Sequence, residues 1–304
     1  MSTASIVICT RDRAEWLGIC IASIVEQWPS NLWLLELLIV DNGSTDDTRR
    51  VVEEQARQDA RIQYLSENEP GLSRARNRGV AAAVGTWIGF IDDDARLRPG
   101  YLDLAGRRLA GAYAAFGGMY YAWYAAGDRP RWISAAFGTK RPPRNDAGLL
   151  EKGMLSGGNM WIRKDYWRMA GGFRPELGMH PSGPAYGEDD AIQLAIRKRG
   201  GTIFFDPALA IDHLVLPYKL KLGWHLRRSA AKGRADFRLT DNGRLRYGPL
   251  LRVPFLTFRQ LVVGLVKWLT WPNFYLPNLF ISTLHPLLYQ WGKLDARRRS
   301  AKGD

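Results

Sequence analysis

One stretch of the sequence, Trp87–Asp94, constrains the fold more than any other. Its first five residues are apolar or glycine, and three consecutive aspartates follow them. A short run of aromatic and β-branched residues, bounded by Gly85 on one side and by charge on the other, is typical of a buried strand. The aspartates are therefore predicted to lie at the carboxyl end of a strand, where open α/β sheets bind their ligands.

The three carboxylates of Asp92, Asp93 and Asp94 allow two interpretations. Adjacent anions repel one another, and a hard divalent cation such as Mg²⁺ or Mn²⁺ relieves that repulsion by taking oxygen ligands. A solvated acidic turn is the alternative, because clustered charges are often only structural. The triplet alone does not distinguish a metal site from a solvated turn, so other residues of the chain are needed to choose between them.

Strand-like and helix-like segments alternate along the first two thirds of the chain. From the apolar runs we predict strands at residues 5–10, 34–40, 61–65, 87–91, 114–121, 159–162, 202–205 and 209–213. From the amphipathic segments we predict helices at residues 14–27, 48–57, 72–84, 164–169 and 191–199, and a short helix after Pro99. Such alternation indicates a mostly parallel sheet with helices on both faces.

Polar side chains follow several of these predicted strands. Thr10 and Arg11 end the first strand, and Asp41 ends the second. Because parallel strands end at one edge of a sheet, we expect these residues to lie near Asp92. Asp41 also fits a purely structural role, since an aspartate before Asn42-Gly43 can stabilise that turn.

A second acidic triplet, Glu188-Asp189-Asp190, directly precedes the predicted helix at 191–199. Acidic residues at a helix N-terminus contribute about 0.3–1 kcal/mol each, so capping is one interpretation. A general base facing a metal site is the other. His213 closes a predicted strand; a single histidine is more often structural, yet imidazole also suits Mn²⁺.

Several common signatures are absent from the sequence. No Gly-x-Gly-x-x-Gly follows the first strand and no P-loop occurs, so a phosphate-bearing ligand would need metal and side chains instead. Both cysteines, Cys9 and Cys20, lie in segments predicted to be buried, which favours reduced thiols and a cytoplasmic setting. The first residues lead into a strand without the pattern of a secretory signal.

Seven short motifs, in this order, resemble family 2 glycosyltransferases over about residues 5–213. They are Thr10-Arg11-Asp12-Arg13, Val40-Asp41-Asn42-Gly43-Ser44-Thr45-Asp46, Gly71-Leu72-Ser73-Arg74-Ala75-Arg76-Asn77-Arg78-Gly79, Ile91-Asp92-Asp93-Asp94, Gly158-Asn159-Met160, Gly171-Gly172-Phe173 and Gly187-Glu188-Asp189-Asp190. The resemblance implies a GT-A fold, which is Rossmann-like, with a mostly parallel sheet flanked by helices. It also implies inverting, Mn²⁺- or Mg²⁺-dependent transfer from a nucleotide-diphosphate sugar, with a UDP-sugar favoured.

The resemblance assigns roles to individual residues. On the donor side it implies Thr10, Arg11, Arg13, Asp41, Arg76, Asp92 and Asp93. As metal ligands it implies Asp92, Asp94 and His213, and on the acceptor side Gly158, Asn159 and Glu188. Asp189 is implied to be the general base, with Asp190 or Glu188 as alternates.

The charge of the chain is concentrated at its C-terminal end. Residues 1–212 hold 26 Lys and Arg against 26 Asp and Glu, whereas residues 213–304 hold 17 against 4. An uncharged window between Lys267 and Lys293 is long enough to span a bilayer, but Pro272, Pro277 and Pro286 interrupt it. We therefore expect short helices that lie in the interface of an anionic membrane. A helical lid or an oligomer interface is the alternative.

The expected organisation is a catalytic domain at residues 1–215 and a basic, aromatic helical segment at 216–304. The nucleotide-sugar half would be residues 1–98 and the acceptor half residues 99–215. We expect a peripheral protein at the inner face of the cell membrane that acts on a glycan or polyprenyl-linked acceptor, in polysaccharide or lipid-linked glycan synthesis.

Two rival functions fit less of the sequence. A sugar-nucleotide pyrophosphorylase would share the sheet and the carboxylates, but it would need glycines in its first loop, and residues 10–13 have none. A nucleic-acid-binding protein would explain the basic C-terminal segment. It would not explain the carboxylates at the strand ends, so no nucleic-acid partner is expected.

Overall fold

The structure is a computed structural model that describes residues 2–30, 33–124, 129–180, 186–239 and 247–302. The chain divides into two compact units. Unit 1 consists of residues 1–123, 138–181 and 188–214, and unit 2 of residues 124–137, 182–187 and 215–304. The predicted catalytic domain ended at residue 215, and unit 1 ends at residue 214. Residues 124–137 and 182–187, which lie inside the predicted catalytic domain, belong to unit 2 instead.

The first half of unit 1 alternates strands and helices. Its elements are β1 (Ala4–Thr10), α1 (Ala14–Val25), β2 (Leu34–Asp41), α2 (Thr48–Gln58), β3 (Ile62–Ser66), α3 (Leu72–Ala82) and β4 (Trp87–Ile91). Strand β1 pairs in parallel with β2 and β4, and β2 pairs in parallel with β3. Strand β1 is almost wholly buried, as expected for a parallel strand covered by helices on both faces.

The second half of unit 1 adds antiparallel pairings to this sheet. Its elements are β5 (Ala95–Leu97), α4 (Tyr101–Arg108), β6 (Ala115–Trp123), β7 (Gly148–Leu149), β8 (Asn159–Arg163), α5 (Lys164–Ala170), α6 (Glu188–Lys198) and β9 (Ile203–Leu214). In the described part of the chain the strand order is β3-β2-β1-β4-β8-β6-β9-β5, and β7 pairs with β9. Strand β8 runs antiparallel to both β4 and β6, whereas β6 and β9 are parallel.

Three features of unit 1 differ from the sequence-based predictions. The two strands predicted at 202–205 and 209–213 are one strand, β9, whose pairing with β6 shifts register between Gly118 and Met119. Pro207 lies in the skipped segment, where the N–H that proline lacks is not needed by the ladder. Helix α6 begins at Glu188 rather than at residue 191, so the acidic triplet forms its first turn. The short strands β5 and β7 were not predicted.

A tryptophan holds the centre of the sheet together. Trp161 of β8 is fully buried, and a Cβ on Gly89 of β4 would lie 2.8 Å from its ring. Glycine at position 89 therefore lets the indole lie flat against β4. The same ring stacks on Phe116 of β6 at 5.7 Å between centroids. Strands β4, β8 and β6 are thus fixed side by side, and the aspartates that follow β4 are fixed with them.

The described part of unit 2 contains three long helices: α7 (Leu222–Leu239), α8 (Tyr247–Thr270) and α9 (Leu276–Lys302). The prediction of short helices is therefore wrong. Pro286 lies within α9, and Pro277 is the second residue of α9, where its missing N–H is tolerated. Pro272 lies in the break between α8 and α9.

Helices α7 and α9 approach each other closely through glycine. A Cβ on Gly233 would lie 1.9 Å from the carbonyl oxygen of Tyr289, and one on Gly292 would lie 2.0 Å from that of Ala230. Among the residues that the structure describes, no helix combines the length and the apolar character needed to cross a membrane.

Candidate active site

The predicted site residues of β1, β2 and β4 meet at one edge of the sheet. Thr10 and Asp41 are register partners at the ends of β1 and β2, and both are buried. Asp92, Asp93 and Asp94 directly follow β4, which lies on the other side of β1. The parallel pairing of these strands places their polar ends together, as the sequence predicted.

Asp92, Asp94 and His213 form a group that could hold a metal ion. Each offers one ligand atom, and these atoms lie within 4.8 Å of one another. The Nε2 atom of His213 is 3.1 Å from Asp94 Oδ1 and 3.8 Å from Asp92 Oδ2. His213 reaches the aspartates because β9 pairs with β5, where His213 is the register partner of Ala95. Two carboxylates and one imidazole suit Mn²⁺ or Mg²⁺.

Neighbouring groups orient these ligands. The hydroxyl of Tyr120 donates to Asp92 Oδ2 at 2.7 Å, and its ring lies 5.1 Å from the imidazole of His213. The guanidinium of Arg13 donates to Asp94 Oδ2 at 3.0 Å. Tyr120 was not singled out from the sequence, because a tyrosine within an apolar strand gives no signal of its own. The carboxylates are thus held in place by protein groups.

Asp93 differs from its two neighbours. It is not part of the group of three ligands within the described chain. Burial, assisted by the negative charge of Asp94, raises the pKa of the Asp93 carboxyl to about 7. Positive charge nearby favours its ionised form, as Arg13 already does.

A buried ion pair links this edge of the sheet to α6. Arg76 of α3 is 4% exposed, and its Nη1 donates to Glu188 Oε1 at 2.8 Å. Its Nη2 lies 3.9 Å from Asp92 Oδ1, and its guanidinium packs over the rings of Phe90 and Phe173. Burial raises the pKa of Glu188 to about 7 and the nearby charge of Asp189 adds to the rise, although Arg76 opposes it. The pair was not predicted, since 112 residues separate its members.

Asp189 lies beside this pair in the first turn of α6. Its Oδ2 accepts a hydrogen bond from the backbone N–H of Gly157 at 3.0 Å, and its Oδ1 accepts one from the N–H of Asp190 at 3.0 Å. An ionised carboxylate is favoured at a helix N-terminus by the helix dipole. Asp189 is partly exposed, whereas Glu188 next to it is buried.

Two glycines bring the base candidate and the metal candidate together. A Cβ on Gly157 would lie 2.9 Å from both Arg76 Nη2 and Asp189 Cβ. A Cβ on Gly158 would lie 1.9 Å from Asp92 Cγ. The backbone at this pair of glycines therefore lies directly against Asp92 on one side and Asp189 on the other.

Other predicted site residues make structural contacts. Asp41 accepts hydrogen bonds from the backbone N–H of Ser44 and from the hydroxyl of Tyr64, both at 2.8 Å. The turn-stabilising interpretation of Asp41 is thus realised, and its role toward a donor stays a prediction. Arg11 is exposed and lies 3.6 Å from Asp12.

Asn159, predicted on the acceptor side, is fully buried. Its amide donates to the carbonyls of Met119 and Leu209 at 3.0 and 2.9 Å, and its Oδ1 accepts from Tyr101 at 2.6 Å. These bonds tie β8 to β6 and β9. The acceptor-side role of Asn159 stays a prediction, while its structural role is clear.

Comparison with known proteins identifies the family. The chain belongs to glycosyl transferase family 2, whose model matches residues 5–169. It is 37% identical over 90 residues to the uncharacterised glycosyltransferase EpsJ of Bacillus subtilis (strain 168), which covers 30% of this chain and 25% of EpsJ. It is 32% identical over 100 residues to a chondroitin synthase of Escherichia coli, covering 33% of this chain and 14% of the synthase. The match thus spans a quarter or less of either relative.

Solved structures confirm the GT-A fold. A mannosyltransferase from Pyrobaculum calidifontis, PcManGT in complex with GDP-Man and Mn²⁺, has a TM-score of 0.65 at 17% identity, covering 97% of this chain and 87% of that one. GalNAc-T7 with UDP, GalNAc and Mn²⁺ has a TM-score of 0.57 at 14% identity, covering 90% of this chain and 58% of that one.

Proposed function

We propose that the protein is an inverting, metal-dependent glycosyltransferase that moves a sugar from a nucleotide-diphosphate sugar to an acceptor hydroxyl. The observation that carries this proposal is the cluster of Asp92, Asp94 and His213, with the carboxylate of Asp189 across a two-glycine turn. The family supports the proposal, as do two structural neighbours that contain Mn²⁺ and a nucleotide or nucleotide sugar.

The donor side of the reaction needs its leaving group stabilised. Asp92, Asp94 and His213 would hold Mn²⁺ or Mg²⁺, which when bound supplies Lewis-acid stabilisation for the diphosphate that departs. We keep Thr10, Arg11, Arg13, Asp41, Arg76, Asp92 and Asp93 as donor-side residues, with a UDP-sugar as the favoured donor. Of these, Arg13 already lies 3.0 Å from Asp94 and adds positive charge at this edge.

On the acceptor side, Asp189 is proposed as the general base. It takes the proton of the acceptor hydroxyl while that oxygen attacks the anomeric carbon and the bond to the diphosphate breaks. A single displacement of this kind inverts the anomeric configuration. Glu188 is less suited to this role because it is buried and paired with Arg76. Asp189 is preferred over Asp190 because its carboxylate accepts a hydrogen bond from Gly157. The next residue, Gly158, lies against Asp92, so Asp189 is close to the candidate metal site.

The base assignment is tested by comparing Asp189→Asn with Asp190→Asn. We expect Asp189→Asn to lower the transfer rate by about 10²–10⁴-fold, the usual contribution of a general base. Nucleotide binding in the presence of Mn²⁺, measured by calorimetry, should be unchanged. Loss of transfer in Asp190→Asn but not in Asp189→Asn would move the role to Asp190. Loss of nucleotide binding in Asp189→Asn would contradict the separation of base and donor site.

The donor is tested by thermal shift with UDP, GDP and dTDP, each with and without Mn²⁺. We expect UDP with Mn²⁺ to stabilise the protein most, because ligand that binds only the folded state raises its stability. A larger shift with GDP or dTDP would replace the proposed donor base. The anomeric configuration of the product, read by NMR, tests inversion.

We further propose that the protein is peripheral at the inner face of the cell membrane, where a polyprenyl-linked or growing glycan acceptor is presented. Residues 213–304 hold 17 Lys and Arg against 4 Asp and Glu, and this positive charge supports attraction to anionic lipid. A relative named chondroitin synthase supports a role in polysaccharide synthesis. Oligomerisation through the same segment is the competing proposal.

A further inference from the structure

Helix α8 of unit 2 exposes a continuous apolar face. We call this face the α8 stripe; it consists of Phe255, Phe258, Val262, Leu265, Val266 and Leu269, whose exposed fractions run from 39% to 76%. The spacing of three and four residues puts all of them on one side of a helix. A contiguous apolar patch of this kind on a folded protein marks an interaction surface.

The opposite face of α8 is already used for packing. Val253 is 6% exposed, and a Cβ on Gly264 would lie 2.5 Å from Leu279 of α9. At 100° per residue, Val253 and Gly264 each lie about 100° or more around the helix axis from every residue of the stripe. Helix α8 therefore packs on the rest of unit 2 through the face with Val253 and Gly264, and the α8 stripe lies on the opposite face.

The charges around the stripe favour one kind of partner. Between Asp241 and Asp295 the sequence has no acidic residue, whereas the described side chains of α8 include the cations Arg259 and Lys267. A second copy docked on the stripe by two-fold symmetry would bring these cations near their own equivalents, with no carboxylate from α8 to neutralise them. Phosphate groups of anionic lipids would neutralise them.

We propose that the α8 stripe inserts into the upper acyl region of an anionic bilayer, with α8 lying along the membrane surface. Arg259, exposed four residues after Phe255, would then reach the lipid phosphates. Trp268 and Trp271, which are 46% and 58% exposed, are suited to the level of the headgroups. This inference rests on the membrane association proposed above and is independent of the transfer reaction.

The test uses the full chain with vesicles of phosphatidylcholine alone or mixed with about one third phosphatidylglycerol, an anionic composition. Cosedimentation is measured for the wild type, for Phe255→Ser/Phe258→Ser and for Val84→Ser. Val84 is the matched control, because it is an exposed apolar side chain of unit 1 with the same 67% exposure as Phe255.

We expect the double variant to bind anionic vesicles at least about tenfold more weakly, since each phenylalanine loses its apolar burial. Val84→Ser should bind like the wild type. Arg259→Gln should weaken binding to the anionic vesicles and leave the weak binding to phosphatidylcholine unchanged. Light scattering of the same samples reads the oligomeric state.

Two results would overturn the inference. One is wild-type vesicle binding that the double variant retains. The other is a wild-type dimer that Phe255→Ser/Phe258→Ser converts to a monomer while neither protein binds vesicles, which would assign the stripe to a second copy. Nucleotide binding with Mn²⁺, measured on the same proteins, separates this failure from a failure of the proposed enzyme activity.

Discussion

The buried pair of Arg76 and Glu188 gives a sharp prediction about stability. Replacing Arg76 with Met keeps the apolar stem over the rings of Phe90 and Phe173 but removes the charge. Glu188, itself 7% exposed, then loses the donor 2.8 Å from its Oε1. Breaking a buried pair in this way costs about 3–5 kcal/mol in the free energy of unfolding, because one charge stays buried and unpaired.

The double variant Arg76→Met/Glu188→Leu should recover much of that loss. Replacing both members of a buried pair by apolar residues of similar volume is often neutral. The coupling energy from the double-mutant cycle should therefore exceed about 2 kcal/mol, well above the additivity error for independent sites. Urea unfolding, followed by tryptophan fluorescence, measures Arg76→Met, Glu188→Leu and the double variant.

The same pair predicts a pH dependence for the single variant. Burial already raises the pKa of Glu188 from 4.5 to about 7 in the folded state, and removal of Arg76 takes away a group that opposes the rise. A folded-state pKa above the unfolded value means that stability falls as the pH rises between the two. The cost of Arg76→Met should thus be smaller at pH 5.5 than at pH 8, each chosen on one side of about pH 7.

Arg74 supplies the control on the same helix. It pairs with Glu69, and their side chains are 42% and 67% exposed. Arg74→Met should cost no more than about 1 kcal/mol, as is usual for an exposed ion pair. If Arg76→Met costs as little as Arg74→Met, or if the double variant is as unstable as the sum of the single ones, the buried-pair reasoning is refuted.

Three further predictions concern other parts of the molecule. Gly118→Ala should lower the free energy of unfolding by at least about 1–3 kcal/mol, because its Cβ would lie 1.8 Å from a backbone carbonyl oxygen of β9. In the control Gly18→Ala, the nearest atom to the new Cβ is 3.9 Å away, so urea unfolding should show a neutral or stabilising effect. Burial lowers the pKa of His225 below its ordinary value of 6.5, so the stability of the protein falls as the pH drops below 6.5 and the unfolded chain takes up the proton. His225→Phe should flatten this part of the pH–Tm curve, and an unchanged slope would show that His225 is not the group responsible. Asp94→Asn should weaken Mn²⁺ binding by at least about tenfold by calorimetry, while equal binding in both proteins would remove Asp94 from the metal site.

The sequence predicted the elements that local patterns determine. The alternation of apolar strands and amphipathic helices in residues 4–91 placed each element to within a few residues, because hydrophobic periodicity and turn residues act locally. The family resemblance grouped Asp92, Asp94 and His213, and the structure places one possible ligand atom of each within 4.8 Å of the others.

The remaining features depend on long-range pairing that a single sequence does not reveal. The ion pair of Arg76 with Glu188 and the hydrogen bond of Tyr120 to Asp92 join distant segments. The antiparallel insertion of β8 between β4 and β6 is likewise set by tertiary packing around Trp161. In unit 2, Pro286 was given too much weight as a helix breaker, because packing of α9 against α7 outweighs the local cost of proline.

The turn at Gly157 and Gly158 has a consequence for which substitutions the site can accept. The backbone of Gly157 lies against Asp189 and that of Gly158 against Asp92, and the guanidinium of Arg76 lies beside both. A glutamate at position 92 would carry an extra methylene against the backbone of Gly158, where even a Cβ has no room. Position 92 is therefore limited by the backbone that faces it to a side chain no longer than that of aspartate, whatever its chemistry requires.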